Sequence, residues 1–502
     1  MKVLGIDVGT GGTRVVLVDE LGQVVSSATA DHAPILSPQM GWAEQEPDDW
    51  WRAACIAVPA CLSQAGIRAN EVDAIGLAGQ MHGLVLLDGH GEALRPSIIW
   101  CDQRTQAQCL AMTEALGASK LIELTANPAL TNFTLPKIWW VREHEPEIWK
   151  RARSILLPKD YVRFRLSGTY ATDVADASGT LLLDVTNRCW STPMIEASDL
   201  DPDLLPRLFE SQEITGHVSA EGSRATGLLE GTPIVAGAGD QEAGAVGMGI
   251  VRPGSASAVI GTSGVVFAAT DGPCRDPQGR LHTFCHAIPG RWHVMGVTQA
   301  AGLSLRWFRD QFGTNSNGTR DSYEQLMEEA ASVSPGAAGL LWAPYLMGER
   351  TPHLDPNARG TLFGITASHT RAHVIRAILE GVAFSLRDTL TILKELGLPV
   401  GSMRLGGGGA RAPLWRQIQS DIYGMPTEVL AAEEGAAFGA ALLAGVGVGG
   451  WPTVEHACDG AVRVSTIMQP QPRNVALLNR QYGAYQKLYP ALRQIGEEFQ
   501  EI

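Results

Sequence analysis

The 502 residues exceed what one ordinary hydrophobic core organises, and a prior of about 150 residues per domain predicts two large domains or three smaller ones. Hydrophobic content of 45%, charged content of 18% and 56 glycines describe a globular α/β protein rich in tight turns, and exclude disordered and fibrous classes. A net charge of −14 argues against a nucleic-acid or anionic-membrane partner, so an anionic ligand must be held locally, by backbone amides and metal ions.

Eight scattered cysteines without a CxxC pair read as reduced thiols and predict a cytoplasmic protein. The start MKVLGIDVGT carries an acid at position 7 and lacks a signal peptide's apolar core. The apolar run from Ala436 is Ala/Gly-rich and shorter than the ~20 residues a membrane span needs, which predicts a packed helix.

In chain order, KVLGIDVG, a glycine turn and TRVVLVDE predict a hairpin. Amides from Gly9 to Thr13 could surround a phosphate, and Asp7 could hold a magnesium ion through water; a plain hairpin is the alternative. EQEPDDWWRAACIAVPACL predicts a helix with packed tryptophans. VDAIGLAGQMHG reads as a buried strand ending in Gly79, Gln80, Met81 and His82, and a further hairpin leads to Trp100, Asp102 and Arg104. Polar groups and a flat aromatic at strand ends suit a sugar site. FTLPKIWWVREHEPEIW and SILLPKDYVRFRLSG read as helices, and DVADASGTLLLDV as a polar turn into a strand.

Near the midpoint, TPIVAGAG runs into Asp240, which either N-caps the segment after it or is a working carboxylate at a strand end. Gly244, Gly247 and Gly249 beyond it are hinge or packing positions. SASAVIGTSGVVFAATDG then repeats the opening hairpin, and the strand running into Gly406–Gly409 repeats VDAIGLAGQMHG. Two divergent copies of one α/β unit facing across a cleft follow, with boundaries at 1–246, 247–450 and 451–502. HTFCH, with His282, Cys285 and His286, lacks a second ligand pair and is set aside as a metal site. The stretch 450–473 reads as a connection to a tail helix carrying Leu478, Tyr482, Tyr485, Tyr489, Leu492, Ile495 and Phe499, interrupted near Pro490.

GIDVGTGGTR, GTSG and LGGGGARAPLWRQ, in that order, resemble the first phosphate, second phosphate and adenosine motifs of the FGGY family of carbohydrate kinases. GTLFGITASHTRAHVIRAILE resembles a family signature in full; in the other, NFTLPKIWWVRE, Asn132 stands where a small or aromatic residue is usual. The resemblance implies α/β architecture, two duplicated actin-like (ribonuclease H-like) domains around a central cleft, with ATP and Mg²⁺ as cofactors and a homodimer as the assembly. It implies Asp240 as the base, Asp7 positioning magnesium, and Met81, His82, Trp100, Asp102 and Gln241 at the sugar. Thr10, Gly11 and Thr262 would face the phosphates, and Gly302, Gly408 and Gly409 the nucleotide. AGQMHG, WCDQR, LLPKDY, AGDQEAGAVG and PYLMGERTPH are most similar to members acting on D-xylulose, at its 5-hydroxyl. Ribulose, glycerol and gluconate are the alternative acceptors, and an actin- or Hsp70-like ATPase is the alternative class. A base at the positive end of a helix is expected to keep a low pKa.

Overall fold

A computed structural model describes residues 1–313, 321–432 and 435–498, and in it two seven-stranded sheets repeat one plan. In the first, Lys2–Val8 lies between its antiparallel hairpin partner Gly12–Asp19 and the parallel strand Ala74–Gly79. Val24–Asp31 extends the hairpin side; Pro233–Val235 (parallel) and Ile214–His217 (antiparallel) extend the other. In the second, Ser255–Ile260 lies between antiparallel Gly264–Thr270 and parallel Ser402–Gly407. Trp292–Thr298 extends its hairpin side, and Thr427–Leu430 (parallel) with Val464–Met468 (antiparallel) the other. The duplication read from the sequence therefore holds over six strands of each sheet; the seventh differs, Ala238–Gly239 pairing with Ala74–Gly79 in the first and His282–Cys285 with Trp292–Thr298 in the second.

Two-residue alternation decides what each face of the first sheet buries. Leu4, Ile6, Val8, Val15, Leu17, Ile75 and Leu77 join the core under helix Pro47–Ala65. Val3, Val16, Val18, Ala74 and Ala78 join a second core on the opposite face. Each such branched side chain contributes roughly 1.5–3 kcal/mol by leaving water. Helix Pro47–Ala65 starts with a proline and two acids and ends at Gly66, whose φ of 64° only a residue without Cβ adopts freely.

The opposite face is covered by helix Gly435–Gly447, which the boundary at 450 assigns to the second half. In space this helix packs on the first sheet. It approaches so closely that a Cβ on Gly5 would lie 1.8 Å from the Ala437 carbonyl oxygen, and one on Gly76 2.0 Å from that of Ala440. The same helix meets helix Asp240–Gly247, where a Cβ on Gly439 would lie 1.8 Å from the Ala243 oxygen. Gly247 sits in this contact, Gly249 makes a left-handed turn (φ 67°), and Gly244 has open space.

Other expectations shift locally. Ser154–Leu156 is a strand ahead of helix Pro158–Ser167, because β-branched and aliphatic residues pair there with Val85–Leu87. The polar turn at 173 is a short helix, Val174–Ala177, capped by Asp173. The stretch 450–473 contains helix Val454–Ala461 and the edge strand of the second sheet. The tail forms Pro472–Tyr485 and Leu488–Glu498, so the break precedes Pro490, which is tolerated in a helix's first turn. Phe499 lies outside the described residues. No helix among the described residues is long and apolar enough to cross a membrane.

Candidate active site

The first sheet brings two carboxylates together at the ends of adjacent strands. Asp7 pairs in register with Ala78, which pairs with Ala238; Asp240 follows two residues later as the first residue of its helix. Gly239 is the N-cap, and no side chain caps this helix. The capping alternative for Asp240 is thereby excluded, and its carboxylate is left to the site. Gln241 donates to Asp240 Oδ1 at 3.4 Å.

Both acids are half-buried by surface, yet protein fills the space around them, and Asp7 Oδ1 is buried without a hydrogen-bond partner. Burial raises Asp240 to about 6, although the Gln241 side chain and amide favour its charged form. This corrects the expectation of a low pKa: loss of hydration outweighs the helix terminus. Burial first, and then the Asp240 charge, raise Asp7 to about 7 against the opposing pull of Arg14. Two desolvated carboxylates that repel each other make a place where a cation is stabilised.

The hairpin tip next to Asp7 is wired to the rest of the first half. Gln45 Nε2 donates to the Thr10 carbonyl at 2.7 Å, and its Oε1 accepts from Gln80 Nε2 (2.8 Å) and Trp50 Nε1 (3.2 Å). Trp100 Nε1 donates to Thr10 Oγ1 at 3.0 Å, so the hydroxyl proton of Thr10 remains available to a further acceptor. This bond joins a residue expected at the phosphates to one expected at the sugar. A Cβ on Gly11 would meet nothing within 4 Å, so space rather than packing surrounds it.

His82 stands at φ 69°, a left-handed conformation that costs a histidine energy and is held from several sides. Its carbonyl accepts from Lys137 Nζ (2.7 Å) and Thr134 Oγ1 (3.2 Å). Its Nδ1 lies 2.8 Å from the Gly179 carbonyl oxygen, which only an N–H can satisfy. Burial keeps the ring neutral, so Nε2 carries a lone pair able to accept from a hydroxyl. Lys137 also donates to the Asn132 carbonyl at 2.7 Å, and burial pushes it down to about 7. Because Asn132 contributes its backbone there, the departure at this position leaves that contact intact. Phe133 and Phe284, the latter from the second sheet, flank the His82 ring at 5.2 and 6.0 Å. Met81 is buried against Gly239.

Asp102 is fully buried, with Oδ2 accepting from the Ala43 amide (2.6 Å) and Arg104, and Oδ1 from the Arg104 amide (2.9 Å) and guanidinium. Arg104 also bonds Glu44 at 2.7 Å and covers Trp42. Asp102 thereby ties the turn after Trp100 to the segment at Ala43. Sequence reasoning passed over Gln45 and Lys137. An Arg two residues after Asp102 was the local signal that this acid had a partner.

In the second half, the expected nucleotide residues converge on one turn. The Gly302 amide donates to the Gly261 carbonyl at 3.0 Å, and the Leu303 amide to that of Thr262 at 3.1 Å, placing the start of helix Gly302–Phe312 on the hairpin tip. A Cβ on Gly302 would lie 2.3 Å from the Gly261 oxygen, and one on Gly409 2.7 Å from the Ile260 side chain. Packing within the protein therefore accounts for these two glycines. Gly408 is exposed and faces open space beyond Ile260. Thr262 is exposed at the tip.

Two duplicated sheets, glycine hairpins at equivalent strand ends and a carboxylate pair in the first half define a phosphotransferase of small-molecule type. Residues 2–247 match the N-terminal domain of the FGGY family of carbohydrate kinases, and residues 256–448 its C-terminal domain. The chain belongs to the FGGY family of carbohydrate kinases, for which ATP is the phosphoryl donor. It is 40% identical over 487 residues to the xylulose kinase of Bacillus subtilis (strain 168), spanning 97% of this chain and 96% of that protein. It is 41% identical to the xylulose kinase of Escherichia coli (strain K12), spanning 88% and 89%. The crystal structure of a "xyloylose kinase" from Brucella ovis superposes with a TM-score of 0.91 at 34% identity, over 99% of this chain and 100% of that one.

Proposed function

We propose that this chain transfers the γ-phosphoryl group of ATP to the 5-hydroxyl of D-xylulose, giving D-xylulose 5-phosphate and ADP, with Asp240 receiving the hydroxyl proton. The observation that carries this reading is the pair at the strand ends: Asp7 with an unpartnered buried oxygen, and Asp240 raised to about 6. A base near 6 is ionised at neutral pH, yet is a stronger proton acceptor than an exposed carboxylate. The names of the relatives support the acceptor.

Asp7 is suited to hold Mg²⁺. Its buried, unpartnered Oδ1 would hold the ion, directly or through water. When bound, Mg²⁺ would neutralise phosphate charge, which answers how an acidic protein accepts a polyanion. Thr10, Gly11 and Thr262 would face the phosphates, and Gly408 the nucleotide. At the sugar, His82 Nε2 would accept from a hydroxyl, Trp100 would supply a flat wall and Met81 an apolar one, and Gln241 would contact the sugar and orient Asp240.

The test is ADP release with a panel of acceptors. D-xylulose should give the highest kcat/KM, and ADP release should depend on added sugar. A higher kcat/KM on ribulose, glycerol or gluconate would overturn the acceptor, and sugar-independent turnover would favour an ATPase.

A further inference from the structure

Three residues into the helix that begins with Asp240, Glu242 is fully buried, and its Oε1 lies 3.4 Å from Nε2 of His293, also fully buried. The contact crosses the molecule: Glu242 follows the first sheet, whereas His293 stands on strand Trp292–Thr298 of the second. Neither carboxylate oxygen and neither ring nitrogen of His293 has a hydrogen-bonding partner, so this 3.4 Å approach is the one polar contact the two groups offer each other. The ring is fixed by stacking on Phe267 at 4.1 Å and by edge contact with Phe284 at 5.7 Å. On the other side, the Glu242 carboxyl lies over Gly239, where a Cβ would come within 2.4 Å of Oε2. The residue before the proposed base is thus held between this carboxyl and Met81.

An ionised carboxylate and a ring-nitrogen lone pair repel, so a contact of this kind requires one proton between them. The surroundings decide where it resides. Burial first, and then the neighbouring acids Asp176, Asp240 and Asp173, disfavour a negative charge on Glu242, with Lys159 paired to Asp173 and Asp176 but not to Glu242. His286 and His282 beside His293 disfavour a positive one, against the weaker pull of the Cys285 backbone towards it. Burial acts on both groups in the same sense, favouring their neutral forms.

We propose that Glu242 donates a neutral O–H hydrogen bond to His293 Nε2, and that this bond fixes the start of the Asp240 helix against the second sheet, making Glu242 a positioning residue for the base. The inference rests on the reading of Asp240 as base. It also explains how an acid two residues from the base adds no charge beside it, and how the base's position depends on both halves of the molecule.

Three variants test it. In Glu242→Gln the amide N–H replaces the carboxyl O–H, so kcat should stay within about threefold of the parent and the acid limb of the pH profile should not move. In Glu242→Ala, and in Glu242→Leu should the alanine variant fold poorly, kcat should fall about tenfold or more with both KM values within about twofold. The parent-minus-Glu242→Gln infrared difference spectrum at about pH 8 should contain the carbonyl band of a protonated carboxylic acid. A glutamine variant as slow as the alanine and leucine variants, an apolar variant at the parent kcat, or absence of that band would each overturn the proposal. Parent-like turnover by Asp240→Asn would instead remove the base reading, and the infrared result would still report the proton.

Discussion

The two halves share a strand plan but not a chemistry, and the contrast is sharpest at one equivalent position. Val8 and Ile260 each close the ladder before their glycine turn, pairing with Gly79 and Gly407 respectively. One residue earlier the first half has Asp7, whereas the second has Val259. Around the first turn lie hydrogen-bonding side chains, Thr10, Gln45, Gln80 and Trp100. Around the second lie glycines packed on Ile260 and Gly261. Duplication supplied two glycine turns, one set beside a carboxylate and hydrogen-bonding side chains and the other beside closely packed glycines.

Replacing Asp7 attacks that asymmetry most directly. Asp7→Asn is expected to lower kcat about 100-fold or more and to raise the Mg²⁺ concentration needed for half-maximal rate. An unchanged Mg²⁺ dependence would remove Asp7 from the metal. His82→Ala comes next: losing one acceptor should raise the sugar KM about tenfold and leave the ATP KM within about twofold. The reverse pattern would move His82 out of the sugar pocket.

Glycine substitutions separate ligand space from packing. Gly11→Ala meets no protein atom within 4 Å, so it should raise the ATP KM several-fold without changing the unfolding midpoint. Gly409→Ala drives a Cβ to 2.7 Å from Ile260 and should lower the midpoint. Equal midpoints for the two would break the distinction.

The smallest effect concerns stability. Asp240 binds its proton more tightly folded, at about 6, than the ordinary value of 3.8, so that proton's stabilisation is complete below about pH 4 and lost as pH rises through about 6. Asp240→Asn, which never ionises, should therefore unfold at a higher temperature than the parent at about pH 8, with the difference shrinking towards pH 4. A difference independent of pH would place the cause elsewhere.

The hairpins, the repeated plan, Asp7 and Asp240 were legible because their signals are local: an apolar run, an acid at its end, then glycines. Gln45 was hidden inside an acidic helix start, and Lys137 inside an aromatic helical stripe, since their roles lie in backbone carbonyls distant in sequence. The docking of Gly435–Gly447 on the first sheet and the contact of Glu242 with His293 are products of tertiary packing alone. The raised pKa of Asp240 escaped for the same reason, because burial there depends on elements from the whole chain.

The central claim is that Asp240 is the proton acceptor, and the most direct measurement is transfer and sugar binding by Asp240→Asn beside the parent's pH profile. Transfer should fall by roughly 10²–10⁴-fold with D-xylulose binding retained, and the parent's kcat/KM should rise with pH through about 6. Transfer near the parental rate by the asparagine variant would contradict the account.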